Sequence, residues 1–214
     1  EHLVMQFSLP QVKAAYARQL PKPGCSTLEA YTRGFNYPPE SDIKDYGDLP
    51  KLGLKTFFCS NVCAMYDRKV YEELGGFVTH TIFNEDMIYA AGLIEAGYSI
   101  AYAADAQVYH SHNYGCIAQM KRNFDLGVSQ AQYPEIFEKY PSEGEGIRMV
   151  RQTAAYVCRI QRPWLLVPLF FQSGFKYLGY LLGKHYQRLP RGVIRHCTMN
   201  RNWWKFPVRK RRKR

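Results

Sequence analysis

The 214-residue sequence predicts an α/β domain followed by a helical, strongly basic tail. Between residues 12 and 133, short apolar segments with strand character alternate with helical patterns. Residues 1–144 carry 12 Lys/Arg and 17 Asp/Glu, whereas residues 145–214 carry 17 Lys/Arg and one acidic residue. This charge asymmetry places the boundary between the domain and its tail at residue 144.

The first quarter of the chain carries few signals of regular structure. Residues 1–7 resemble the end of a helix, and residues 12–17 have strand character until Pro21 interrupts it. Residues 21–55 are rich in Pro, Gly, Asp and Tyr, and within them only residues 28–35 have a helical pattern. Because a loop of this length in a compact domain is usually functional, we expect it to border a site.

The middle of the chain alternates between predicted strands and helices. The apolar run 56–66 is the best candidate for a buried strand, and Asp67 can cap a short helix that ends before Gly75. A second helix is expected to begin after Glu85 and Asp86. It is followed by short strands at 98–103 and 106–109 and by a helix at 114–133.

The tail combines apolar and basic segments. Residues 147–158 place an apolar stripe on a basic helix, and residues 163–182 are apolar and aromatic but interrupted by Pro168. This second segment falls short of the roughly 20 apolar residues of a spanning helix, so an in-plane amphipathic helix fits better. With the six basic residues 209–214, it predicts binding to an anionic membrane surface. Nucleic-acid binding is the weaker alternative, since nothing else resembles a nucleic-acid-binding module.

The six cysteines are dispersed and none forms a C-x-x-C pair, which favours free thiols over disulfides. Zinc binding by Cys59, Cys63 and the histidines at 110 and 112 is disfavoured by the spacing.

The carboxylates Glu85 and Asp86 and the imidazoles His110 and His112 are the candidate functional groups. The separation of 24 residues from Asp86 to His110 suffices for one helix, a turn and one or two strands, so both pairs can face one pocket. Asp86 can serve as a general base, although a helix cap explains the acid pair equally well. The histidines can supply a ligand for Mg²⁺ or Mn²⁺, or can be incidental residues at a strand end.

A set of ordered motifs resembles family 2 glycosyltransferases of the Rossmann-like GT-A fold, and is most similar to bacterial rhamnosyltransferases that build surface polysaccharide. The motifs are TFFCSNVC at 56–63, EELGGF at 72–77, NEDM at 84–87, AGYSIAY at 96–102 and VYHSHNY at 108–114, with YARQLP at 16–21 and KYLGY at 176–180. The resemblance implies that residues 1–144 form the acceptor half of a GT-A domain. It also implies that the nucleotide-binding half, with its Asp-x-Asp motif, lies before residue 1.

The resemblance implies a role for each matched position. Asp86 would be the base, supported by Glu85, and His110 would complete a divalent-metal site, with His112 as the second choice. Ser60, Asn61, Arg18 and Gln19 would face the acceptor. Lys121 and Arg122 would steady the donor diphosphate, or form a solvated helix face.

The sequence therefore predicts an inverting, metal-dependent glycosyltransferase on the cytoplasmic face of the plasma membrane. Its expected partners are a nucleotide-sugar donor, with dTDP-rhamnose as the candidate, and a lipid-linked saccharide acceptor. The alternative is a non-catalytic, membrane-associated remnant or binding module that lacks the donor site.

Overall fold

The computed structural model describes residues 1–140 and 143–205 and confirms the α/β class. The strands are β1 (Val12–Leu20), β2 (Asp42–Lys44), β3 (Ala64–Tyr66) and β4 (Ser99–Tyr109). The α-helices are α1 (His2–Met5), α2 (Thr27–Asn36), α3 (Leu49–Leu52), α4 (Arg68–Glu73), α5 (Glu85–Glu95), α6 (Cys116–Gln132), α7 (Pro134–Phe137), α8 (Glu143–Arg159), α9 (Leu166–Lys184) and α10 (Arg191–Cys197). The basic run 209–214 lies outside the described residues.

The four strands form one mixed sheet in the order β2-β4-β1-β3. The two central strands, β1 and β4, are parallel, and the short strands pair antiparallel at the edges. Leu20 pairs with Tyr109, so both central strands end at the same edge of the sheet. The carboxyl ends of parallel strands are where open α/β sheets commonly place ligands.

Strand β4 replaces the two short strands that the sequence predicts. Its pairing with β1 jumps from Ala17–Ala103 to Arg18–Gln107, so the strand stays continuous across an irregularity. Burial changes at the same point: residues 99–104 are buried, whereas the residues beyond them are exposed or partly exposed. The polar residues after Ala104 therefore mark the point where one continuous strand leaves the core, not a break between two strands.

The core lies mainly on one face of the sheet. Tyr16 and Tyr102 from the central strands pack there with the buried side chains of α5, among them Leu93 and Ile94. Helix α4 follows β3 as expected, because the Asp67 carboxylate accepts a hydrogen bond from the Val70 N–H at 3.1 Å. The opposite face carries a smaller apolar cluster of Val12, Ala15 and Ala101, against which Leu3 and Phe7 pack.

The predicted buried strand at 56–66 is wrong. Residues Gly53–Phe57 form a 3₁₀ helix, and only Ala64–Tyr66 pairs with the sheet. The buried Lys44 ammonium donates hydrogen bonds to the carbonyls of Lys55 and Phe58. In the predicted strand, the Phe58 carbonyl would have bonded to backbone instead. The first part of the run, with Thr56, Phe57 and Cys59 buried, therefore packs in the core without joining the sheet, and residues 58–63 border the sheet edge.

Helix α9 packs closely against α6 through glycines. A Cβ atom at Gly179 or Gly183 would overlap the backbone of Met120 or Phe124, and one at Gly127 would overlap the backbone of α9. Contrary to the sequence expectation, Pro163–Lys184 is long and apolar enough, by length and composition alone, to cross a membrane. Only 17% of its most apolar window is buried, so one face of α9 holds the fold together and the other is open.

Candidate functional site

The candidate site lies at the edge where β1 and β4 end and where α5 begins. Most of the side chains singled out from the sequence converge there, because the parallel pairing brings Leu20 beside Tyr109. The His110 N–H donates to the Leu20 carbonyl at 2.9 Å and continues this pairing by one residue. The site is therefore positioned by the centre of the sheet and by the first turn of α5.

Asp86 occupies the first turn of α5 and is partly buried. One carboxylate oxygen accepts a hydrogen bond from the Asn61 N–H at 3.2 Å, and the other accepts from the Met87 N–H at 2.8 Å. Burial raises the pKa of Asp86, the Glu85 charge adds to that shift, and the two N–H donors oppose it. A carboxylate with a raised pKa is chemically suited to accept a proton.

The structure agrees only in part with the interpretation of the acid pair as a helix cap. The N-cap residue is Asn84, in the left-handed region with φ 64°, and no side chain makes the cap hydrogen bond. The Asn84 amide donates instead to the Ser129 hydroxyl at 3.3 Å. Asp86 does accept one first-turn N–H, but α5 starts without a side-chain cap.

Asn61 connects both carboxylates to the core. Its side-chain amide is 3.5 Å from Glu85 Oε1, and its Oδ1 accepts a hydrogen bond from the Tyr66 hydroxyl at 2.6 Å. With its backbone N–H on Asp86, Asn61 holds the loop after Cys59 against the start of α5. The sequence predicted Asn61 on a strand, whereas the structure places it in a turn. The turn still brings Asn61 beside Glu85 and Asp86.

Ser60 begins a chain of polar contacts that runs across the sheet edge. Gln19 Nε2 donates to the Ser60 hydroxyl at 2.7 Å, and Arg33 donates to Gln19 Oε1. Arg33 also pairs with Glu29 at 3.1 Å, one turn earlier on α2. Glu29 Oε1 in turn accepts a hydrogen bond from the backbone N–H of His112 at 3.3 Å. The loop beside Asp86 and the loop that carries the histidines are therefore linked through β1 and α2.

The two imidazoles lie together beyond the end of β4. The His110 and His112 ring centroids are 4.5 Å apart in an edge-to-face arrangement, and His112 stacks on Tyr114 with centroids 4.8 Å apart. Burial lowers the pKa of both histidines, and the neighbouring cations Arg33 and Arg122 lower it further. These shifts favour the neutral form of both rings, which can act as a ligand or as a hydrogen-bonding group.

Arg122 and Lys121 are adjacent on α6, but their side chains lie near different groups. The Arg122 guanidinium lies 4.7 Å from the centroid of the Phe83 ring, beside the start of α5, and it influences both imidazoles. The Lys121 charge acts on Cys197 in α10. Consecutive helical residues point about 100° apart, so only Arg122 is placed at the site.

Arg18 is the predicted acceptor residue that stands apart from this network. Gln19, its neighbour on β1, reaches Ser60 and Arg33, and successive strand residues point to opposite faces. Among the described residues the Arg18 Nε atom is buried without a hydrogen-bond partner, and the Arg18 charge acts on Tyr102.

The described residues do not form a complete metal site. No group of three or more His, Cys, Asp or Glu side chains that could hold a metal lies within residues 1–140 and 143–205. The alternative of a zinc site with Cys59 and Cys63 is therefore not supported within that part of the chain. His110 and His112 are adjacent, so they fit a pair of metal ligands that would need further ligands from elsewhere.

Sequence reasoning missed Arg33, Glu29 and Lys176. Glu29 and Arg33 are four residues apart in the one helical stretch of the long loop, a spacing that could have indicated a helix-surface ion pair. Lys176 lies on α9 and borders the same pocket as Glu29 and His112. Lys176 is more than 60 residues from the histidines in the sequence, so no local sequence pattern connects it with them.

Comparison with known proteins identifies two relatives, both from Salmonella. The chain is 42% identical over 206 residues to the O-antigen chain rhamnosyltransferase RfbN of Salmonella typhimurium and to the O-antigen chain rhamnosyltransferase WbaN of Salmonella anatum. Each match covers 95% of this chain and 65% of the relative, so the chain spans just under two thirds of their length. No protein-family model matches the chain, and no solved structure is significantly similar to it.

Proposed function

We propose that this chain carries the acceptor side of a glycosyltransferase that extends an O-antigen-type surface polysaccharide, with rhamnose as the transferred sugar. The observation that carries this proposal is the 42% identity, over nearly the whole chain, to two O-antigen chain rhamnosyltransferases. The site agrees with it chemically, since a partly buried carboxylate lies beside polar groups at the carboxyl edge of the sheet.

In this proposal Asp86 is the general base that deprotonates the acceptor hydroxyl, and transfer proceeds with inversion. The raised pKa of Asp86 makes its carboxylate a better proton acceptor than an exposed aspartate. Asn61 holds that carboxylate through its N–H, and Glu85 supports it by its charge. Ser60 offers its hydroxyl to the acceptor sugar, and Gln19, which is only 2% exposed, orients that hydroxyl through its amide. Arg18 is less directly placed.

The donor is proposed to be a nucleotide sugar, with dTDP-rhamnose as the candidate. Arg122, next to the imidazoles, is the better placed of the two predicted diphosphate-binding residues, and Lys121 is the weaker one. A Mg²⁺ or Mn²⁺ ion, when bound, would offset charge on the leaving diphosphate. His110 would be the first ligand of that ion from this chain, and His112 the alternative. Carboxylates from the nucleotide-binding half would complete the GT-A metal site.

We also propose that the protein sits peripherally on the cytoplasmic face of the plasma membrane, where a lipid-linked acceptor is presented. The outward face of α9 and its 3₁₀ lead-in expose large apolar side chains, and basic residues follow in the sequence. These exposed side chains are Trp164, Val167, Phe170, Phe171 and Tyr177.

A non-catalytic, membrane-associated binding module is the second candidate. It is favoured by the exposed apolar side chains of α9, which can bind a membrane without any chemistry in this chain. Such a module would keep the apolar face of α9 but would not turn over a nucleotide sugar.

A transfer assay separates the two candidates. The protein, expressed from its full reading frame, is incubated with radiolabelled dTDP-rhamnose, Mn²⁺ and lipid-linked saccharide extracted from a strain that accumulates the unextended acceptor. Growth of the acceptor by one labelled sugar is expected. Acceptor binding without incorporation from any of a panel of nucleotide sugars would reject the enzyme and leave the binding module.

A further inference from the structure

A small polar pocket lies beside the imidazoles, between α2, the loop after β4, α6 and α9. It encloses about 20 Å³ open to a water-sized sphere. This is enough for one water molecule or for a single oxygen of a larger group. Side chains from four segments converge on it, namely Glu29, His112, Asn113, Gln119, Gln172 and Lys176.

Lys176 brings a positive charge to this pocket without a direct partner. It is partly buried, and none of the residues in 1–140 and 143–205 makes a hydrogen bond or an ion pair with its ammonium. Burial lowers the pKa of Lys176, Glu29 opposes that shift, and the Arg122 charge adds to it. A partly desolvated ammonium is less favourable than an exposed one, and an anion beside it offsets that cost.

Glu29, the nearby carboxylate, is already engaged. Its Oε1 atom accepts hydrogen bonds from Arg33 Nε at 3.1 Å and from the His112 N–H at 3.3 Å. Arg33, Arg122 and Lys176 therefore bring three cations to the surroundings of one carboxylate. This local excess of positive charge favours an anionic ligand.

Two amide side chains extend the donor set. Gln172 precedes Lys176 by one helical turn, so both side chains lie on the same face of α9. Gln119 lines the pocket and is only 9% exposed, and its side-chain amide has no hydrogen-bond partner among the described residues. The pocket also lies at the N-terminal ends of α2 and α6, where backbone N–H groups favour negative charge.

We propose that this pocket is a phosphate subsite, in which Lys176, Gln172 and Gln119 bind one oxygen of a diphosphate while the rest of the group faces the imidazoles. The inference rests on the proposed function, which brings two diphosphates to the enzyme. One belongs to the nucleotide-sugar donor and the other to the lipid-linked acceptor. The apolar outer face of α9, opposite Lys176, would lie toward the membrane that presents the second.

Binding of inorganic pyrophosphate tests the pocket independently of catalysis. Isothermal titration in metal-free buffer compares the wild type with Lys176→Met and with Lys184→Met, a control two turns further along α9. A charge-assisted hydrogen bond contributes about 1.5–3 kcal/mol, so Lys176→Met should weaken binding roughly tenfold or more and Lys184→Met should not. Wild-type protein that does not bind, or Lys176→Met that binds equally well, would overturn the proposal.

A second variant and a kinetic arm complete the test. Gln172→Met should weaken pyrophosphate binding several-fold even if Lys176→Met does not fold, and unchanged affinity would reject the subsite. In the transfer assay, Lys176→Met should raise KM for the nucleotide sugar if the donor diphosphate binds here, or for the lipid-linked acceptor if its diphosphate does. Two unchanged KM values would contradict the proposal. If the wild type transfers no sugar, pyrophosphate binding still decides the subsite.

Discussion

At the scale of single residues, the environment of Asp86 agrees with the general-base role proposed for it. The start of α5 is set by Asn84, whose side chain turns to Ser129, so Asp86 is not needed as the cap residue. Two backbone N–H groups fix the orientation of its carboxylate, while burial raises its pKa. The surroundings of a structural carboxylate usually stabilise its ionised form, whereas the burial of Asp86 disfavours its ionised form.

The raised pKa of Asp86 predicts how its removal affects stability with pH. Its folded-state pKa exceeds the unfolded value, so its contribution to stability is fully present below pH 3.8 and is lost as pH rises through the folded pKa. Asp86→Asn should therefore be at least as stable as the wild type at pH 7, with the difference shrinking toward pH 4. Urea unfolding at both pH values measures this, with Asp67→Asn as a control of opposite sign, because a hydrogen bond from Lys13 lowers the pKa of Asp67. A clear loss of stability in Asp86→Asn at pH 7 would contradict the assignment of its pKa.

The two histidines differ in their expected contribution to metal dependence. The His112 ring is stacked on Tyr114, and His110 directly follows β4 at the sheet edge. We expect His110→Ala to raise the Mn²⁺ concentration needed for half-maximal transfer more than His112→Ala does. Metal titrations of chelator-treated enzyme provide the comparison, and the reverse order would make His112 the principal ligand.

At the scale of elements, local signals predicted the helices well and failed where tertiary contacts compete. The cap at Asp67 and the helix after Glu85 are where the sequence indicates them, because caps and periodicity are local. The run 56–66 has the composition of a buried strand, yet the Lys44 ammonium, 14 residues away, donates a hydrogen bond to the Phe58 carbonyl within it. No pattern within the run reveals that competitor.

The contact between α6 and α9 predicts a position-dependent response to alanine. Gly179→Ala inserts a methyl group against the Met120 backbone and should destabilise the fold by about 1–3 kcal/mol. Gly174→Ala, on the same helix with no atom within 4 Å of the new methyl, should stabilise it by up to about 1 kcal/mol. Chemical denaturation of both variants measures the difference, and equal stabilities would mean that the helices do not pack as described.

At the scale of the whole molecule, the sequence motifs contain several side chains that the structure brings together, but they do not indicate how these side chains are connected. Asp86, Asn61, Ser60 and Gln19 lie together as the motifs suggested, even though the strand expected to carry two of them is absent. The links through α2 and the approach of α9 depend on long-range packing, which no spacing in the sequence encodes. The polar site and the open apolar face of α9 thus share one framework, since α9 contributes to both.

The outer face of α9 predicts how the protein partitions to membranes. Val167→Glu/Phe170→Glu should release the protein from phosphatidylglycerol vesicles, because burying each apolar side chain contributes about 1.5–3 kcal/mol. Val4→Glu/Met5→Glu changes two exposed apolar residues of α1 and should leave binding unchanged. Vesicle co-sedimentation gives the bound fractions, and equal retention of the α9 variant would reject this face as the membrane contact.

The general-base role of Asp86 is tested most directly by comparing Asp86→Asn with Glu85→Gln in the protein expressed from its full reading frame. Sugar transfer to the lipid-linked acceptor and equilibrium binding of the nucleotide-sugar donor are measured for each variant. Loss of a general base typically lowers the rate about 10²–10⁴-fold, so Asp86→Asn should lose transfer to that extent while it keeps donor affinity. Glu85→Gln should retain much of the activity. Near-normal turnover by Asp86→Asn would contradict the account.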